Sequence, residues 1–129
     1  MKPHSLLANY LQGVESAFAA LRGVYVENYL EELLSPTRAT LRIRIRFPSG
    51  GLLEINEAVV VECGRLQHLD YRYHCQGPEA QLVFCYDSTP HFPDLPGFPH
   101  HKHLPFTTLP ARRPPLEELI AEAASSFTD

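Results

Sequence analysis

The sequence predicts an α+β fold: a curved antiparallel meander of about five strands, an N-terminal and a C-terminal helix, and a long loop rich in proline and histidine. Three patterns predict it. Apolar residues recur at helical spacing near both ends of the chain, they alternate with polar residues through its middle, and prolines crowd the stretch from 87 to 115.

At the N-terminal end, Leu7, Tyr10, Leu11, Val14, Ala17, Phe18 and Leu21 form one continuous apolar stripe at i, i+3, i+4 and i+7 spacing. Ser5 is placed to cap this helix and Gly23 to end it. Residues 24–34 read as a strand through Val24-Tyr25-Val26 and Tyr29-Leu30, closed by the turn Ser35-Pro36-Thr37. In residues 38–47, Leu41, Ile43, Ile45 and Phe47 alternate with Thr40, Arg42, Arg44 and Arg46. A period of two sends the aliphatic side chains to one sheet face and the three arginines to the other. Pro48-Ser49-Gly50-Gly51 turns the chain into a hairpin, and Leu53, Ile55 and Glu57 then share one phase, with Glu54 placed to pair across the strands with an arginine. Residues 67–74 and 81–86 supply two more strands around Gln76-Gly77-Pro78-Glu79.

Prolines at 90, 93, 96, 99, 105, 110, 114 and 115 then predict an extended loop, since proline neither donates to a ladder nor continues a helix. Phe92, Leu95, Phe98, Leu104 and Phe106 would anchor it to the body. A closing helix opens at Pro114-Pro115-Leu116, with Leu116, Leu119, Ile120 and Ala123 as its apolar stripe and Glu117 and Glu118 favouring its N-terminal end.

The chain has 129 residues, which predicts one domain spanning 1–129. Its net charge of −4 argues against indiscriminate binding to nucleic acid. No apolar run approaches a membrane span, and the first residues lead into an amphipathic stretch unlike a secretion signal. Cys63, Cys75 and Cys85 are odd in number and lack Cys-x-x-Cys spacing, which points to a reducing cytoplasm and to buried thiols without a set role.

Chemistry concentrates in four places. Phe98-Pro99-His100-His101-Lys102-His103 sets three imidazoles and an ammonium in four residues. Tyr71-Arg72-Tyr73-His74, on a strand, sorts the tyrosines to one face and a cation beside a titratable base to the other. Tyr86-Asp87-Ser88-Thr89-Pro90-His91 places a carboxylate where it would orient an imidazole. The row Arg42, Arg44, Arg46 and the acid-free stretch between Asp94 and Glu117 give a basic surface suited to phosphate, against the commoner reading of a solvated face.

The order of these strings resembles the TumE-like proteins, toxin components of bacterial and archaeal toxin–antitoxin modules. The resemblance runs over about residues 42–103 and is carried by Glu57, Tyr71, Tyr73, His74, Tyr86, Asp87, Pro90, His91, Pro99, His100, His101, Lys102 and His103. Ser88 and Thr89 stand where an Asn-Ala-like pair is expected before Pro-His. The resemblance implies a cytoplasmic toxin with a cognate antitoxin protein as partner.

Two activities fit these residues. One is a metal-independent ribonuclease without cofactor. His74 and His101 would act as acid and base, His91 and His103 would substitute for them, and Arg72 and Lys102 would hold the phosphate. Tyr73 or Tyr86 would stack a base, with Tyr71, Asp87 and His100 in support. The other is a metal- or haem-binding module using His91, His100, His101 and His103, with Asp87 as a further ligand. A plain interaction subunit, with an exposed sheet edge supporting a homodimer, is the third reading.

Overall fold

The computed structural model describes residues 1–90 and 94–127. Helix α1 (Ser5–Ala19) buries Leu7, Leu11, Val14 and Phe18, the centre of the predicted stripe. It is capped by His4, whose Nδ1 accepts the Leu6 N–H at 3.1 Å, and not by Ser5. It also ends short of Gly23, which takes a positive φ of 74° in the turn that sends the chain into the sheet.

Among the described residues, seven antiparallel strands follow in sequential order: β1 (Tyr25–Ser35), β2 (Arg38–Arg46), β3 (Leu52–Glu62), β4 (Arg65–Gln76), β5 (Leu82–Asp87), β6 (His101–Leu104) and β7 (Thr107–Pro110). Helix α2 (Leu116–Ser126) closes the chain and buries Leu116, Leu119, Ile120 and Ala123. The α+β class and the meander agree with the sequence, but the expected count of about five strands was too low. The two additional strands come from the segment read as an unbroken Pro/His-rich loop. Residues 101–104 contain no proline, Pro105 falls in the following turn, and Pro110 closes β7 at the sheet edge, where a missing N–H leaves no ladder bond unmade.

Register fixes the two sheet faces. Leu41 pairs with Glu57, Ile43 with Ile55, Ile55 with Tyr73, and Tyr73 with Tyr86, and these side chains belong to the face that packs on α1 and α2. The opposite face carries Arg42, Arg44 and Arg46 of β2, Glu54 and Asn56 of β3, and Arg72 and His74 of β4. The predicted cross-strand pair exists: Arg44 Nη1 lies 3.7 Å from Glu54.

The cysteine expectation needs correction at one position. Cys63 is exposed, in a two-residue hairpin turn with Gly64 where both residues have positive φ. Cys75 and Cys85 are buried, but register sets them on opposite faces: Cys75 pairs with Phe84, and Cys85 with His74. Among the described residues no helix is long and apolar enough to cross a membrane.

Candidate active site on the sheet face away from the helices

Strand alternation splits the histidine segment in two. In β6, His101 and His103 point away from the helices while Lys102 and Leu104 point toward them. The pairings then assemble two adjacent rows across the sheet. One runs Arg42, Asn56, Arg72, Asp87, His101, and the next runs Arg44, Glu54, His74, Cys85, His103.

Asp87 is the hub. It is 5% exposed, with one carboxylate oxygen 2.6 Å from His101 Nε2 and the other 3.6 Å from His103 Nε2. His101 is buried and donates from Nδ1 to the Pro99 carbonyl at 2.7 Å, which turns its Nε2 toward Asp87. The His101 and His103 rings meet edge to face with centroids 4.6 Å apart. Unlike His101, the His103 side chain is 28% exposed, and its Nδ1 lies 3.3 Å from the Thr108 hydroxyl. Cys85 Sγ sits 4.0 Å from Asp87, and burial pushes its thiol up to about 11, so it remains protonated.

On β4, Arg72 donates to His74 Nδ1 at 3.4 Å, and His74 Nε2 donates to Gln76 at 3.0 Å. Arg42 donates to Asn56 at 3.2 Å. Glu27 of β1 binds both Arg44 and Arg46, and the hydrogen bond from Arg46 holds the Glu27 carboxyl below its ordinary range. Among the described residues no carboxylate lies within ion-pair distance of Arg42 or Arg72, so the row that reaches Asp87 carries two guanidinium groups free to meet an anion.

Other residues singled out from the sequence stand elsewhere. Lys102 and Tyr86 face α2, where both donate to Glu122, at 2.5 and 2.6 Å, and the Lys102 ammonium lies over the Phe84 and Tyr86 rings. His100 is exposed and stacks on Tyr71, with its Nδ1 3.0 Å from the Tyr71 hydroxyl. Tyr71 and Tyr73 are buried on the helix face. His91 lies outside the described residues.

A second polar cluster lies on the helix face of the sheet, and it takes up Tyr73, which the sequence predicts would stack a base. Glu57, 3% exposed, accepts short hydrogen bonds from Tyr10 of α1 and Tyr73 of β4, and His68 Nε2 lies 3.3 Å away. Arg113 completes the cluster, donating to Tyr73 at 3.3 Å and lying 3.9 Å from Glu57. Burial pushes the Glu57 carboxyl up, but the hydrogen bond and charge of His68, with the two tyrosines, outweigh it and hold the group below its ordinary value of 4.5. The available signal was phase: Glu57 continues the buried alternation of Leu53 and Ile55.

The family model described as Toxin TumE matches residues 14–126. The chain belongs to the Toxin TumE family. The match confirms the resemblance read from the sequence and extends it in both directions, over the last turns of α1 and through α2. Neither the comparison with curated proteins nor that with solved structures returns a match. Membership gives the TumE-family chain a biological setting, that of a toxin, and leaves its reaction to be argued from the two rows of side chains.

Proposed function

We propose that this toxin acts as a ribonuclease that needs no metal ion, cleaving RNA bound across the face that carries Arg42, Arg72, His74 and His103. The supporting observation is the adjacency of the two rows: a carboxylate-oriented imidazole, a second imidazole and two guanidinium groups with no carboxylate partner among the described residues, on one surface. His74 and His103 share one row and lie two strand spacings apart, roughly 10 Å between backbones.

In the reaction, one imidazole removes the 2′-hydroxyl proton and O2′ attacks phosphorus. The P–O5′ bond breaks, and the other imidazole delivers a proton to O5′, leaving a 2′,3′-cyclic phosphate and a 5′-hydroxyl. Arg72 balances the charge that builds on the phosphorane, and Arg42 holds a neighbouring phosphate. Asp87 orients His103, while buried His101 braces Asp87 from behind and does not reach the substrate. Lys102 and Tyr86, committed to Glu122, are left out of phosphate and base binding. A cognate antitoxin would silence the toxin by covering the arginine face.

A second reading is favoured by the same hub. One ligand atom each from Asp87, His101 and His103 lies within 4.8 Å of the others, and the Nδ1–H of His101 on a backbone carbonyl is the support a metal-ligating imidazole has. Such a set suits zinc or another transition ion. Purified protein incubated with RNA in EDTA separates the two. Cleavage that persists in EDTA and is lost in His103→Ala supports the ribonuclease. Intact RNA, together with a stoichiometric metal that Asp87→Asn no longer holds, supports the metal site.

A further inference from the structure

The two edges of the sheet are unequal. β7 has four residues and ends in Pro110, whereas β1 has eleven and pairs on one side only, with β2. The outer side of β1 therefore presents a long row of backbone donors and acceptors. Register shifts at Val26/Asn28 and at Leu33/Ser35 bracket a regular stretch, residues 28–33, which is the part able to accept another strand.

Beside this stretch, between α1 and β1, lies an open groove of about 490 Å³ lined by Glu15, Phe18, Ala19, Val26, Tyr29 and Glu31. The Tyr29 hydroxyl is buried there with no hydrogen-bond partner among the described residues. On the strand itself Leu30 and Leu34 are 41% and 57% exposed. An unpaired edge with an open groove beside it and exposed leucines has the features of a site for β-strand addition.

Charge selects the occupant. Glu27 is taken up by Arg44 and Arg46, but Glu15, Glu31 and Glu32 are not ion-paired among the described residues and crowd the groove and the regular stretch. A second copy docked antiparallel would set its own Glu31 and Glu32 against these, and RNA would meet the same repulsion. We propose that the β1 edge binds an extended segment of a different protein in which apolar side chains alternate with lysine or arginine. Its backbone continues the sheet, its apolar side chains pack on exposed Leu30 and Leu34, and its cations lie on the groove side and meet Glu15 and Glu31. Leu30 pairs with Arg42, so the edge adjoins the arginine row, but strand addition there rests on the edge and its groove and not on what that row cleaves.

The test titrates the full isotope-labelled chain with two synthetic ten-residue peptides, valine alternating with lysine or valine alternating with glutamate, and follows backbone amide shifts. The lysine peptide is expected to move amides of residues 26–33 and Phe18, and to bind about tenfold more tightly than the glutamate peptide. A Glu31→Lys/Glu32→Lys variant is expected to reverse that order. The proposal is overturned if the lysine peptide leaves the β1 amides unmoved, or if the double variant keeps the wild-type preference. It is equally overturned if the unliganded chain sediments as a dimer with residues 28–33 protected from hydrogen exchange.

Discussion

Replacing Glu57 with glutamine keeps the side chain's size and removes the charge on which Tyr10, Tyr73, His68 and Arg113 converge. Glu57→Gln is expected to lower stability by about 2–4 kcal/mol, read by urea denaturation, because it leaves a buried network with its centre neutralised. The pH dependence has a definite sign. The folded-state pKa of Glu57 lies below 4.5, so its contribution is complete above that value and is lost as pH falls through the lowered one. Wild-type stability should therefore drop as pH falls below about 4.5, and the drop should be shallower in Glu57→Gln. Lys102 gives a contrasting case. Lys102→Met removes a partly exposed ion pair with Glu122 and is expected to cost about 1 kcal/mol while leaving RNA cleavage unchanged. A cleavage rate that collapses in Lys102→Met, with the fold intact, would return that residue to phosphate binding.

Elements with a strong period were legible, and those whose period was short were not. The α2 stripe was read correctly at all four positions, because a 3.6-residue repeat bounded by proline admits one buried face. Leu119→Ala, at a fully buried position of that stripe, is expected to cost about 2–5 kcal/mol in thermal or urea unfolding. The β2 alternation likewise sorted arginines from aliphatics. By contrast, β6 and β7 have four residues each, too few for a period to emerge from proline-rich surroundings. Missing β6 had a consequence for the site. Read as a loop, residues 100–103 form one basic cluster. Read as a strand, His101 and His103 join Asp87 while Lys102 joins Glu122. The pairing of Arg72 with Asp87 also depends on register, which no local signal carried.

Across the whole molecule, a net charge of −4 coexists with a face where Arg42 and Arg72 meet no carboxylate among the described residues. On that face Glu27 and Glu54 are engaged with Arg44 and Arg46 and Asp87 with His101, while Glu15 and Glu31 lie toward the β1 edge and Glu57 and Glu122 under the helices. Such separation steers an anionic ligand to one face and away from another. Affinity for single-stranded RNA should fall with salt, and Arg42→Ala should reduce the slope of log K against log salt by about 0.7, the value for one lost phosphate contact. An unchanged slope would place the RNA elsewhere. The proposed reaction is directly measurable: cleavage of a labelled RNA by the purified toxin in excess EDTA, wild type beside His103→Ala. The account predicts a 2′,3′-cyclic phosphate product from the wild type and intact RNA from the variant. Intact RNA in both, or equal cleavage by both, would contradict it.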